Sequence, residues 1–510
     1  MTRSRWAVVA LTTGALALAG CNAGSSTTGT SASPDGSASA KTGGAITIGL
    51  VAEPASLDFT QADGAAAPQL ELTNIYETLV KLDNTGEIVP SLAKSWKVSD
   101  DKLTYTFTLV DNATFTDGAK FTAKDAAFSI NRVKTGWVPS VKAAMDVVSD
   151  AKAVSDTELQ VTLSKPSNNW LYKMTTRIGA MMSEAGIADL ANKPVGTGPY
   201  VFSSWNRGDS IELKANASYW GKKPNFDTVT FKYFKDPTAL NNALLTGAIN
   251  VVGTVQAPES LGQFESAGKY QIIEGTTNGE VLLSMNNSRA PFNNLKARQA
   301  VRTAIDHKAL MDTCWAGKGA LIGSMVPPTD PWYEDRTGDY PFDLAKAKSL
   351  LQESGMAGTP IQMKLPANLP YATACGQVVK SMLEEAGFTV NLSQLEFPAA
   401  WLQTVFKDAD YDMSMVAHVE PRDLPAVFGN PKYYPRYDNA KVQELIAAAD
   451  SGTAEEEVTK MKEAAKIISE DAAGDFLFVL PNLMVADKDI TGLPKNAIGE
   501  SFDLSQLGRS

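Results

Sequence analysis

The chain has 510 residues, 44% apolar and 20% charged, enough for sizeable cores in about three compact units at roughly 150 residues each. Its formal net charge of −11 argues against a nucleic-acid partner, a role that needs a basic face. The three cysteines (Cys21, Cys314, Cys375) and two histidines (His307, His418) are too scattered for C-x2-C or H-E-x-x-H chemistry, so neither a metal site nor a cofactor is expected.

The chain opens with Arg3 and Arg5 and an apolar stretch over 6–18. That stretch is too short to span ~30 Å of hydrocarbon as a helix, which takes ~20 residues. It has the proportions of a secretory signal. It ends in Leu18-Ala19-Gly20-Cys21, which resembles the bacterial lipobox. The resemblance implies a lipoprotein signal over 1–21, with Cys21 as the acylated residue. Several acyl chains anchor durably where one does not. A plain cleaved signal with an incidental cysteine is the alternative. From 22 to 44, 19 of 23 residues are Ser, Thr, Gly or Ala. Such a segment cannot bury enough apolar surface to fold, and as a coil it spans roughly 25 Å. It is expected to tether the body to the cell membrane on its extracytoplasmic face. No later segment is long and apolar enough to cross a membrane.

The folded body is expected from Ala45. "AITIGL" has the pattern of a buried strand. In "KLTYTFTL", Leu103, Tyr105, Phe107 and Leu109 alternate with threonines, which predicts a strand with one wet face. A turn is expected at Asp117-Gly118, then a helix with Thr122 as N-cap and Asp125 three residues on, close to a capping box. "GTGPYVFSSW" and "SIELKA" predict strands joined by a turn at 206–209, with Gly196, Gly198 and Pro199 setting a tight turn before them. Asn294 opens a helix with Ala297, Val301, Ala304 and Ile305 on one face. Asp343 caps another, with Leu344, Ala347 and Leu351 inward and Gly355 as its stop. Residues 377–385 are expected to be helical, followed by the strand "FTVNLSQLEF". An amphipathic helix is predicted over 454–469, with Val458, Met461, Ala465 and Ile468 on one side. Helices and strands mix with no repeat, which gives an α/β or α+β body.

Five blocks, in order, resemble the family 5 extracellular solute-binding proteins of ABC importers, which include dipeptide- and oligopeptide-binding proteins. They are "IYETLVKLDNTGEIVPSLAKSWKVSDDKLTYTFTLVDNATFTDGAKFTAKDAAFSINR", "VGTGPYVFSSW" with "NASYWGKKPNFDTVTFKYF", "ALLTGAINVV", "MNNSRAPFNNLKARQAVRTAIDHKALM" and "YPFDLAKAKSLLQESG". The resemblance implies an α/β, two-lobed periplasmic-binding-protein fold, type II in its large form, with a ligand cleft between the lobes. Lobe I would comprise 45–277 plus 485–510, with an extra subdomain at about 77–194, and lobe II 278–484. The crossings would lie near "TTNGEVLLSMN" and "FVLPNLMVAD". The implied role is a monomeric, lipid-anchored receptor, not an enzyme, that captures peptides and delivers them to permease subunits with their ATPases.

Site residues follow from the same resemblance. A desolvated peptide ammonium needs a carboxylate, because an unpaired buried charge is expensive. In "YDMSMVAHVEPRDLPAVF", Glu420 falls at the place of the family's ammonium-binding aspartate, and Asp423 near a second family acid. Ala417 replaces a usual tryptophan, and Glu-Pro-Arg-Asp stands where acid-Pro-acid is common. Arg422 could meet a carboxylate or pair with its neighbours, and His418 is a further contact candidate. Trp401 matches a tryptophan that can wall the cleft or fill the core. Glu53, in "EPASL", belongs to a loop facing the cleft, and Asn278 is a hinge candidate. Cys314 and Cys375, both in lobe II and outside the cytoplasm, are permitted a disulfide.

Two alternatives stay open. The same fold could hold an oligosaccharide, an opine or a chelated metal. More remotely, Ser91-x-x-Lys94, Lys134-Thr135-Gly136 and Ser167-x-Asn169 resemble marks of penicillin-recognising serine enzymes, although their order is wrong.

Overall fold

The computed structural model describes residues 43–510 apart from 63 and 139; Cys21 and nearly all of the 22–44 segment lie outside the described residues. Eleven strands form one sheet. Its path runs Thr389–Leu395, Pro360–Pro366, Met413–His418, Tyr270–Met285, Gly474–Asp487, Val251–Val252, Ala45–Leu50, Thr228–Tyr233, Ser210–Ala215, Tyr200–Asn206, and Ala320–Leu321 pairs with Gly474–Asp487 off this path. Ala45–Leu50 pairs in parallel with Thr228–Tyr233, and Pro360–Pro366 in parallel with Thr389–Leu395.

Two long strands join the lobes. Tyr270–Met285 has 16 residues and Gly474–Asp487 has 14, and they pair antiparallel with a break between Thr276 and Glu280. On one side of the break, Met484 and Ala486 pack with Ile48, Phe231 and the tail residues Phe502, Leu504 and Leu507. On the other, Val281 and Leu283 join a core with Met363, Met415 and Phe478. Leu282, pointing the opposite way by the period-two rule, joins Trp332, Phe428 and Phe476. The fold is therefore two-lobed, and its tail returns to the first lobe.

A second, four-stranded antiparallel sheet belongs to the first lobe, in the order Ala93–Val98, Thr104–Leu109, Glu158–Leu163, Val148–Ser155. Tyr105, Phe107 and Leu109 point inward, as their alternation predicts. Helix Ala123–Gly136 covers this sheet, and it starts in a capping box of Thr122 and Asp125. Asn294 caps Leu295–Ala304 through Lys296 N and Ala297 N. Asp343 caps Leu344–Ser354, and Gly355 ends it at φ 70°. Helix Pro370–Glu385 starts a full two turns before the expected 377, with Pro370 in its first turn.

The structure differs from the reading of Gly196 and Gly198 as turn formers. Neither has positive φ. A Cβ at these positions would meet Ile75 O at 1.9 Å and Asn74 O at 2.4 Å. They are glycines because two backbones touch there. Cys314 and Cys375 are bonded, with Cα atoms 4.9 Å apart, and join helix His307–Cys314 to helix Pro370–Glu385.

Candidate functional site

A cavity of about 350 Å³ opens where the long strands break their pairing. That is a usual size for a small-molecule site. The first lobe supplies Gln69, Thr73, 81–84 and Arg177; the break supplies 277–279 and 480–482; the tail supplies most of 494–503. The second lobe contributes Val419 and Glu420.

A broken ladder leaves backbone groups that must find partners. Side chains provide them here. Thr277 Oγ1 donates to Leu480 O at 2.7 Å and accepts from Gly279 N at 2.8 Å. Asn278 Nδ2 donates to Ile498 O at 2.7 Å, and Asn482 Nδ2 to Pro494 O and Lys495 O, both at 2.9 Å. Thr276 N donates to Asn496 Oδ1 at 3.1 Å. The tail thus lies bonded along the crossing and forms one cavity wall. A Cβ at Gly275 would sit 1.7 Å from Lys495 O, so only glycine allows this approach.

One wall holds a buried ion pair. Arg177 Nη2 and Nε donate to Glu500 Oε1 at 2.7 and 2.9 Å, and Arg177 N donates to Oε2 at 2.7 Å. Arg177 Nη1 donates to Gly64 O at 2.8 Å. This pair keeps two opposite charges satisfied out of water.

Next to Glu420 lies a cluster of charges at the junction of the lobes. Glu280 is 3% exposed, with Oε2 lacking a hydrogen-bond partner among the described residues. Burial, and then the charge of Asp423, hold its carboxyl well above the usual range. Burial also pushes Asp330 up to about 7, outweighing Arg422. Lys173 donates to Pro421 O at 2.6 Å, and burial lowers its ammonium despite the charge of Asp423. The Arg422 guanidinium lies 3.8 Å over the Tyr172 ring and 4.0 Å from Asp330 Oδ1.

The family described as "Bacterial extracellular solute-binding proteins, family 5 Middle" matches residues 87–440. The chain belongs to this family. It is 26% identical over 499 residues to the probable D,D-dipeptide-binding periplasmic protein DdpA of Escherichia coli K12, covering 91% of this chain and 94% of that one. It is 30% identical over 361 residues to the nickel-binding periplasmic protein of the same organism, covering 68% and 66%. In fold it resembles the oligopeptide-binding protein AppA of Bacillus subtilis, solved with a nonapeptide. That match has a TM-score of 0.81 at 22% identity, covering 92% of this chain and 100% of that one. As a family 5 protein, the chain is a solute-binding component of an ABC importer.

Of the residues singled out in this family 5 protein, Glu420 and Asn278 line the cavity. Asp423 and His418 do not; they are buried against each other, with Nδ1 3.0 Å from Asp423 Oδ2 and Nε2 2.8 Å from the Tyr434 hydroxyl. Arg422 stacks on Tyr172 outside the cavity wall. Trp401 is 3% exposed, packs with Tyr434 and donates to Ser414 Oγ at 3.1 Å. Glu53 accepts from Trp205 Nε1 at 2.7 Å and Gly208 N at 2.9 Å, away from the cavity. The serine-enzyme motifs do not converge. Lys94 pairs with Asp111, Lys134 donates to Val148 O, and Ser167 donates to Asp450. Glu280, Lys81 and the tail wall carried no sequence pattern that singled them out.

Proposed function

We propose that this protein captures peptides in the cleft between its lobes and passes them to a membrane permease driven by ATPase subunits. The placement of Glu420 carries the reading. It is an exposed carboxylate from the second lobe in a cavity walled mostly by the first lobe and the tail. It has no hydrogen bond or ion pair among the described residues. A peptide ammonium supplies the missing partner, and closure removes both charges from water together. The D,D-dipeptide-binding relative supports a peptide ligand. The Cys314–Cys375 bond supports a place outside the reducing cytoplasm. The protein works as a lipid-anchored monomer, acylated at Cys21, on the extracytoplasmic face, and performs no chemistry. The mass of the mature amino terminus tests the anchor; an unmodified Cys21 in membrane-extracted protein contradicts it.

The test of the ligand class is calorimetry with a tripeptide pool. Glu420→Gln is expected to lose roughly tenfold or more in affinity, since a charge-assisted hydrogen bond is replaced by a neutral one. Its thermal midpoint stays unchanged. Unaltered affinity removes Glu420 from the site. The nickel-binding relative favours a second reading, a chelated metal, which predicts heat with nickel chelates and none with peptides.

A further inference from the structure

We infer that Lys81 takes the carboxylate of the bound solute, so that the cleft selects a zwitterion held between Lys81 and Glu420. This deepens the peptide reading and rests on it.

Six charged side chains line the cavity: Lys81, Asp83, Arg177, Glu420, Glu500 and Asp503. Four of them are engaged. Arg177 and Glu500 neutralise each other at 2.7 Å. Asp83 Oδ1 accepts from Thr85 N, Thr85 Oγ1 and Glu87 N at 2.8, 2.7 and 3.1 Å, closing its own turn. Asp503 Oδ1 accepts from Ser505 N at 2.8 Å. Lys81 and Glu420 are the remaining two; neither side chain has a hydrogen bond or salt bridge among the described residues, although Glu420 lies within reach of the Lys173 charge.

The two have opposite sign and come from opposite lobes. Lys81 sits on strand Val80–Leu82 of the first lobe, and Glu420 follows strand Met413–His418 of the second. Lys81 feels the charge of Glu77, but that carboxylate already accepts from Thr197, Tyr219 and Trp220 at 2.8, 2.8 and 2.7 Å. Lys81 also lines a smaller neighbouring cavity beside Glu77, and with no hydrogen bond of its own among the described residues its ammonium keeps donors for a ligand in the main cavity. A solute that displaces water from a half-buried ammonium without replacing its acceptor loses affinity, and a carboxylate replaces it best. With Glu420 taking the ammonium, the peptide lies with its amino end at the second lobe and its carboxyl end at the first.

The experiment uses the full chain and a tripeptide pool in two forms, with free and with amidated carboxyl ends, read by native mass spectrometry. Wild type is expected to prefer the free acids by about tenfold or more. Lys81→Gln binds both forms alike, at the level of wild type with amides, and Lys81→Arg keeps the preference. Equal binding of acids and amides by wild type overturns the inference while leaving peptide capture standing. So does a full preference retained in Lys81→Gln. If neither form binds, peptide capture falls and the inference falls with it.

Discussion

At the junction of the lobes Glu280 feels the charges of Asp423, Asp330 and Glu420, and Asp330 those of Arg422, Asp423 and Lys173, with the His418 ring bonded to Asp423. Of these, Glu280 and Asp330 are deeply buried, and burial disfavours their charged forms. Glu280 and Asp330 both titrate above their unfolded range, burial being the first cause for each. The stability they give is present below about pH 4 and is lost as pH rises, for Asp330 through about 7. Each proton contributes a slope of about 1.4 kcal/mol per pH unit at most. Urea unfolding from pH 5 to 7.5 is expected to show a flatter profile for Glu280→Gln with Asp330→Asn than for wild type. Parallel profiles contradict this assignment. None of this was legible from residue type. Glu280 sits in the alternation of "GEVLLSM", and a strand glutamate is ordinarily solvated. Its neighbours are His418 and Val479 across the ladder and the nearby carboxyls of Asp423 and Asp330, all distant in sequence. Glu420 was legible because its segment resembles a binding segment; Lys81 was not, because a lone lysine on a strand has no local mark.

Helix Asn168–Lys173 ties the first lobe to the second at both ends. Ser167 accepts from Trp170 N at 3.2 Å as N-cap and donates to Asp450 Oδ1 at 2.8 Å. Asn169 N donates to the same oxygen at 3.1 Å, and Asn168 Nδ2 to Ala449 O and Gly452 O, both at 2.9 Å. At the other end Lys173 holds Pro421 O. These contacts bridge the lobes and lie outside the cavity, so, if capture works by closure, Asp450→Ala is expected to raise the peptide dissociation rate about tenfold. Equilibrium unfolding of each lobe stays near wild type. An unchanged dissociation rate contradicts a role in closure. The disulfide acts on a second element pair. Closing a loop of 61 residues stabilises by about 4 kcal/mol in the chain-entropy limit. Cys314→Ser with Cys375→Ser is expected to lower the thermal midpoint, and an unchanged midpoint contradicts that contribution. Helix caps were legible because they are written within four residues, as at Thr122, Asn294 and Asp343. The Cys314–Cys375 pairing and the backbone contact at Gly196 join distant segments, and no local pattern encodes them.

At the scale of the molecule, one sheet passes through both lobes, and its two long strands lose their pairing between Thr276 and Glu280. That interruption is where the cavity opens and where side-chain amides replace ladder bonds. If capture works by closure as proposed, this break between two dense cores is where the hinge lies. The family resemblance made the two-lobed architecture legible; the tail as a cavity wall was not, since its residues resemble an ordinary loop. Solution scattering with and without a tripeptide pool tests the capture mechanism most directly. Closure on a captured peptide predicts a smaller radius of gyration on its addition, together with heat of binding in the calorimeter. An unchanged radius with no heat, across tripeptides and nickel chelates alike, would contradict it.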